Sequence, residues 1–342
     1  MTLEVLDRFP RAALMTGPTP LERLDRLSEK LGIDLWIKRD DLSTLSFGGN
    51  KNRQLEYYFG AAQAAGADTV LITGAVQSNY ARIAAAAAAR LGLKAILQLE
   101  DRVPGMGETY ATSGNVLLGE ILDAEFMRYP EGEDEAGADR ALRARAEDLR
   151  RAGRVPFVIP LGLANPPLGA LGYMRAAEEI QRQAPDFDAM VVASGSGLTH
   201  AGLLAGVKAL GLPTPVFGSC VRRPAADQTA RLTEVCARLE TLLEIEGLIQ
   251  PEDIRVWDKA LTPGYGRIGE PARTALTTMA RHEGLFLDPV YTAKSFAAVL
   301  GLVEEGTVAP GTRVLFVHTG GLPAIFAYQE ELATGAAVKA EP

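Results

Sequence analysis

Short apolar runs bounded by turn residues recur along the chain, and between them lie longer stretches whose apolar positions repeat at helical spacing. Six runs read as buried parallel strands: Thr69–Thr73, Lys94–Leu99, Val155–Ile159, Ala189–Ala193, Pro215–Gly218 and Arg313–Val317. The helical stretches are Asn52–Ala65, Asn79–Leu91, Asp134–Arg151, Leu168–Arg182, Thr199–Leu210, Pro271–His282 and Ala293–Glu304. A strand that is apolar throughout needs cover on both faces, and alternating helices supply it. The pattern therefore predicts an α/β fold with parallel sheet covered by helices. Within the second helix, the alanine run Ala84–Ala89 suits close packing against a sheet. Charges of both signs at helical spacing over Arg140–Arg154 read as a solvated face. Leu99–Thr112 holds Pro104, Gly105 and Gly107 without an apolar period, which predicts a mobile surface loop. The end of the chain, Gly335–Pro342, is expected to fray.

Composition narrows the function. At 342 residues the chain can build two lobes, each with its own core. A net charge of -8 leaves no basic field for nucleic acid or an anionic membrane. The two cysteines, Cys220 and Cys236, form no CxxC pair, and His200, His282 and His318 are scattered. Neither a metal site nor a disulfide framework is expected; the cysteines read as small buried hydrophobes in a reducing compartment. Met1–Arg11 lacks the apolar core of a signal peptide, and no run approaches the ~20 apolar residues of a membrane span. A cytoplasmic protein is the expectation.

Three segments carry chemistry. Phe47-Gly48-Gly49-Asn50-Lys51 places a lysine at the end of a glycine turn where a helix begins. Such a lysine is either a solvated charge on a turn or an amine held for Schiff-base chemistry with a carbonyl compound. Ser194-Gly195-Ser196-Gly197-Leu198-Thr199 follows a strand and opens a helix. Its glycines serve either a tight turn or an anion cradle of backbone N–H groups suited to phosphate. It matches neither a P-loop nor a dinucleotide fingerprint. Gln77-Ser78-Asn79 starts another helix, as a plain cap or as a donor cluster for a carboxylate. With Asp288–Thr292 and His318–Gly321, these segments mostly fall at the ends of strand-like runs, the edge where open α/β sheets bind ligands.

This set resembles the fold-type II pyridoxal-phosphate enzymes, and within them the D-cysteine desulfhydrase and 1-aminocyclopropane-1-carboxylate (ACC) deaminase family. The resemblance runs from Thr19-Pro20-Leu21 and Lys38–Leu42 through the Gly-Gly-Asn-Lys and Gln-Ser-Asn motifs. It continues through Gly264-Tyr265-Gly266 and Asp288–Lys294 to His318–Gly321. It implies two open, mostly parallel twisted sheets covered by helices. Pyridoxal phosphate would lie between a large domain of residues 1–53 and 163–342 and a small one of residues 54–162. Lys51 would bond the cofactor and later act as a base, with Ser78 and Tyr291 as further catalytic residues. Ser194, Gly195, Ser196, Gly197, Leu198 and Thr199 would hold the phosphate, and Asn79 the 3-oxygen of the ring. Gln77, Ser78, Asn79, Tyr265 and Tyr291 would meet a small amino-acid substrate. The family also implies a homodimer. Three positions depart from its usual pattern, Asn52 and Gln54 after the lysine and Tyr80 after Gln-Ser-Asn.

Within the family, Thr292 stands where the deaminases typically carry Glu, and Thr319 where they tend to carry Leu. A hydroxyl at position 292 would bond the ring nitrogen without favouring its protonation. That suits loss of a good β-substituent better than opening of a cyclopropane. The resemblance thus points to β-elimination giving pyruvate and ammonia, with D-cysteine as substrate and sulfide as product. L-Cysteate sulfo-lyase, releasing sulfite, and ACC deaminase are the alternatives, and a non-catalytic binding protein is the alternative of a different class.

Overall fold

The computed structural model describes residues 3–159, 161–163, 165–184 and 186–333. The expected fraying of Gly335–Pro342 lies outside the described residues. Ten strands form among them: β1 (Leu21–Arg23), β2 (Asp34–Lys38), β3 (Thr69–Ala75), β4 (Lys94–Glu100) and β5 (Glu125–Tyr129), then β6 (Pro156–Ile159), β7 (Ala189–Ser194), β8 (Val216–Cys220), β9 (Arg255–Trp257) and β10 (Arg313–Val317). They make two sheets, one of six strands in the order β1-β2-β10-β7-β8-β9 and one of four in the order β5-β4-β3-β6. Every pairing is parallel except that of β1 with β2.

Parallel strands need helical crossovers, and helices cover both sheets as the alternation predicts. Ile72 and Leu97 of the four-stranded sheet share a core with Leu55 and Phe59 of the helix Lys51–Ala64 and with the alanine-rich helix Asn79–Leu91. Of the alanine run, Ala84 to Ala88 are buried, so small side chains do bring this helix close to its neighbours. The six-stranded sheet has its own cores on its two faces, Leu35, Phe296 and Phe316 in one and Val192, Leu203 and Leu315 in another.

Leu99–Thr112 is only in part the surface loop that its glycines and proline predict: Pro104, Gly105 and Gly107 are exposed, but Glu108–Thr112 is helical. Glu100, Val103 and Tyr110 are buried, and the Arg102 side chain is 8 % exposed because it is paired with Glu100. Charge pairing lets a polar segment enter the interior. The helix Ala225–Leu243, not among the predicted ones, buries Leu232, Val235, Cys236, Leu239 and Leu243 on one face at helical spacing, with Gln228 and Arg231 at its start. Cys220 and Cys236 are free and buried, and burial pushes both thiols up to about 12. Among the described residues no group of His, Cys, Asp or Glu is arranged to hold a metal, and no helix is long and apolar enough to cross a membrane.

Candidate active site

The carboxyl ends of β3, β7 and β10 open on one cleft of about 510 Å³. Asn50, Lys51, Ser78, Asn79, Tyr80, Gly195, Ser196, Gly197, Thr199, Tyr291 and Thr319 line it. Segments far apart in sequence therefore meet at the edge where such sheets bind ligands.

Lys51 is the first residue of its helix. The preceding turn is pinned by Gly49 N–H to Asp40 O at 2.8 Å and Asn50 N–H to Thr319 O at 3.0 Å. Gly49 and Gly320 touch so closely that a Cβ on Gly320 would stand 2.6 Å from the Gly49 Cα. Only glycines allow the two loops this approach, which fixes where the lysine starts. Lys51 Nζ donates to Gln54 Oε1 at 3.3 Å and lies 5.3 Å from the centre of the Tyr80 ring. Lys51 makes no ion pair among the described residues, and burial alone pulls its ammonium down to about 8. An amine in that state is partly neutral near pH 8, as attack on a carbonyl requires.

Opposite stands the strand-to-helix turn after β7. None of the backbone N–H groups from Gly195 to Thr199 has an acceptor among the described residues, and they gather at the start of the helix Leu198–Ala209. Gly197 has φ 98°, a left-handed conformation that bends the chain into the helix. The Thr199 hydroxyl accepts from Asn50 Nδ2 at 2.8 Å and Gln54 Nε2 at 2.7 Å, which leaves its own proton to donate elsewhere. Gln54, a departure from the family pattern, thus ties the lysine to this turn through one amide. The arrangement is a ready anion site.

Ser78 caps the helix Asn79–Leu91, accepting from Ala81 N–H at 3.1 Å, and also lines the cleft. Asn79 Oδ1 accepts from Asn115 Nδ2 at 3.0 Å; its own amide N–H groups have no acceptor among the described residues. Tyr265 and Tyr291 share a hydrogen bond of 2.6 Å between their hydroxyls. Burial pushes the Tyr291 phenol well above its ordinary range, so it stays protonated.

Four expected site residues face elsewhere. Gln77 donates to Tyr110 O and Ser113 O and accepts from Asn115 N–H, so its amide holds that loop. Thr292 is fully buried and absent from the cleft wall; its hydroxyl donates to Asp288 Oδ1 at 2.8 Å and accepts Asp288 N–H at 2.7 Å. As the first residue of the helix Thr292–Glu304, it closes the turn that Asp288 caps. The Ser194 hydroxyl turns back to His200 and Gln228, and Leu198 packs into the core beneath the turn. Thr319, by contrast, lines the cleft as expected.

Sequence reasoning missed a group of charged residues beside the cleft: Arg102, Glu135, Arg222 and Arg231. Glu135 accepts from Arg222, Arg223 and Arg231 at 2.6 to 3.0 Å, and Arg231 Nε donates to Ser196 O at 2.8 Å. Only the three-dimensional meeting of four distant segments marks them. Tyr80, Asn50 and Gly320 also line the cleft, and their adjacency to the motifs was the available signal.

A family model described as pyridoxal-phosphate dependent enzyme matches residues 12–320. A D-cysteine desulfhydrase of Klebsiella pneumoniae subsp. pneumoniae is 40% identical over 335 residues, which is 97% of this chain and 100% of the relative. Another, of Yersinia enterocolitica, is 40% identical over 338 residues with the same coverage of 97% and 100%. The crystal structure of an ACC deaminase homologue superposes with a TM-score of 0.87 at 38% identity, covering 96% of this chain and 97% of that one. An O-ureido-L-serine synthase, at 17% identity and a TM-score of 0.67 over 97% and 96% of the two chains, shares the fold.

Proposed function

The chain belongs to the pyridoxal-phosphate dependent enzymes, and we propose that within them it eliminates the β-substituent of a small amino acid to give pyruvate and ammonia, with D-cysteine as substrate and sulfide as the other product. The observation that carries this reading is the Lys51 amine, partly buried in the cleft wall and without an ion-pair partner among the described residues, facing a cradle of N–H groups that have no acceptor among them. A phosphorylated aldehyde fits that donor set, with its phosphate on Gly195, Ser196, Gly197 and Thr199 and its aldehyde at Lys51. Asn79 amide N–H groups would hold the ring oxygen. Bound there, the cofactor supplies an electron sink for bonds at the amino acid's α-carbon.

The protein's own groups would do the rest. The Ser78 hydroxyl and the helix N-terminus behind it favour the substrate carboxylate. Lys51 would carry the α-proton, a task for which a depressed lysine is suited. The Tyr265–Tyr291 pair lines the substrate side of the cleft, and with one hydroxyl donating to the other it leaves one O–H to donate. Names of the relatives at 40% identity favour sulfide over sulfite as leaving group. Thr292 does not enter this argument, since its hydroxyl is engaged by Asp288.

The division into a large domain of residues 1–53 and 163–342 and a small one of residues 54–162 belongs to the same proposal. It is supported by the separate four-stranded sheet, whose strands all fall between Thr69 and Ile159. Cytoplasmic location is supported by two reduced, buried cysteines. The homodimer rests on the family resemblance.

A pyruvate-release screen over D-cysteine, L-cysteate, D-serine and β-chloro-D-alanine tests the reading, with 2-oxobutyrate from ACC assayed in parallel. D-Cysteine should be the best natural substrate. Turnover confined to ACC would put the chain among the deaminases instead.

The lysine also makes a pH prediction. An exposed lysine titrates near ~10.4, whereas Lys51 is brought down to about 8. Only the neutral amine attacks an aldehyde. Capture of pyridoxal phosphate by the cofactor-free protein should therefore accelerate as pH rises through about 8 and level off above it. A rate still climbing near pH ~10 would mean that the lysine is not depressed.

A further inference from the structure

Past Ser78 and Tyr291, which line both parts, the cleft continues into a chamber bounded by Arg102 and Tyr265. Its wall carries three guanidinium groups, Arg102, Arg222 and Arg231, against one carboxylate, Glu135. Two of the arginines are committed. Arg231 spends all three nitrogens on Ser196 O, Glu135 and Leu161 O. Arg222 gives both Nη groups to Glu135, Glu133 and Gly132 O, and its Nε, which has no partner among the described residues, is shut away from the chamber's solvent.

Arg102 differs. Its Nε and Nη2 clasp Glu100 in a bidentate pair, both bonds 2.8 Å, and Glu100 in turn accepts from the Thr73 hydroxyl. The guanidinium is thereby fixed in orientation, and among the described residues Nη1 has no hydrogen-bond partner. Arg102, Tyr265 and Tyr291 line the same chamber. A clamped guanidinium with one nitrogen, Nη1, left without a partner, next to two phenols, is a donor set for a compact anion.

We propose that Arg102 is the specificity-determining residue for the substituent on the substrate's β-carbon, which it receives as an anion, a thiolate or a sulfonate, through Nη1. This rests on the elimination reading above and names the substrate class within it: amino acids whose β-substituent is ionised when bound. The pair with Glu100 makes Arg102 selective by direction, because it fixes the guanidinium plane and so the two N–H groups of Nη1.

Calorimetric titration of the holoenzyme with three carboxylates that lack an amine tests this without turnover. Butyrate presents a methyl group at the end distal to its carboxylate, 3-mercaptopropionate a thiol and 3-sulfopropionate a sulfonate. At pH ~9 a thiol of ordinary pKa ~8.5 is mostly ionised. At least one of the two sulfur compounds should bind about tenfold or more tightly than butyrate, as a charge-assisted bond would give. That gap should vanish in Arg102→Gln. Since Arg102→Gln strands the buried Glu100, the double variant Glu100→Gln/Arg102→Gln removes both charges together and should also lose the gap. A gap for mercaptopropionate alone assigns the site to a thiolate, and one for sulfopropionate alone to a sulfonate. No gap in the wild type, or a gap that survives in both variants, overturns the proposal. Pyruvate release from β-chloro-D-alanine by the wild type reports on the reaction separately. If the gap behaves as expected and no pyruvate forms, the elimination reading falls and the anion subsite stands.

Discussion

Replacing Lys51 with alanine should abolish covalent attachment of pyridoxal phosphate and lower turnover at least about a thousandfold, because in the proposed reaction one side chain would serve as both anchor and proton carrier. The same variant should keep its fold. Lys51 makes no ion pair among the described residues, and its only side-chain hydrogen bond is the 3.3 Å contact with Gln54. Removing an ammonium that burial already disfavours costs little, so the thermal midpoint should move by less than ~4 °C. Borohydride reduction followed by peptide mass analysis checks the attachment, and thermal denaturation checks the fold. A variant with wild-type turnover, or cofactor fixed on a different lysine, would remove Lys51 from the chemistry. Lys294 is the natural control: it is also brought down to about 8, chiefly by burial, yet its Nζ is occupied by Leu261 O and Gly264 O.

A second large effect is expected where the site is propped from behind. Asp40 is fully buried; its carboxylate accepts two bonds from Arg53 and one each from the Thr19 and Tyr173 hydroxyls. Arg53 also grips Glu179, which pairs with buried Lys38. Burial by itself would raise the Asp40 pKa, but the charge and hydrogen bonds of Arg53 outweigh it and hold the carboxyl below its usual range. Asp40→Ala leaves Arg53 short of its partner in the interior, at a cost of about 3–5 kcal/mol. Because Gly49 N–H is bonded to Asp40 O, loosening this segment should weaken cofactor retention too. A depressed carboxylate stabilises the fold above its unfolded pKa and loses that contribution as pH falls through the folded value. The gap between wild type and variant should therefore be full at neutral pH and shrink below pH ~4. Urea denaturation across that range measures it. A neutral-pH difference under about 1 kcal/mol would show that the network does not hold this part of the fold.

The parts of the fold visible in the sequence are those in which burial is purely apolar. β3, β4, β7 and β10 announce themselves as Val, Ile and Leu runs because both of their faces are covered. β2 hides because Asp34 and Lys38 bound it, and buried Lys38 is tolerated only through Glu179, a residue from a distant helix. β5 hides because it is a half-exposed edge strand of mixed polarity, and β1 and β9 because three residues make no pattern. At the site, the positions of backbone segments were legible and the directions of side chains were not. Gly195, Gly197, Ser78 and Asn79 line the cleft where strand ends put them. Gln77, Ser194 and Thr292 turn away because Asn115, His200 and Asp288, none of them predictable from spacing, offer better partners. Arg102 is the reverse case. It lies in a segment whose glycines and proline read as surface, and only its pairing with Glu100 brings it to the cleft.

The central claim is that this cleft eliminates sulfur from D-cysteine, and the most direct measurement is product stoichiometry with purified wild-type holoenzyme. Pyruvate, ammonia and sulfide should appear in equal amounts from D-cysteine, and none should form with the Lys51→Ala variant. Sulfide without pyruvate, or no product from D-cysteine while ACC gives 2-oxobutyrate, would contradict it.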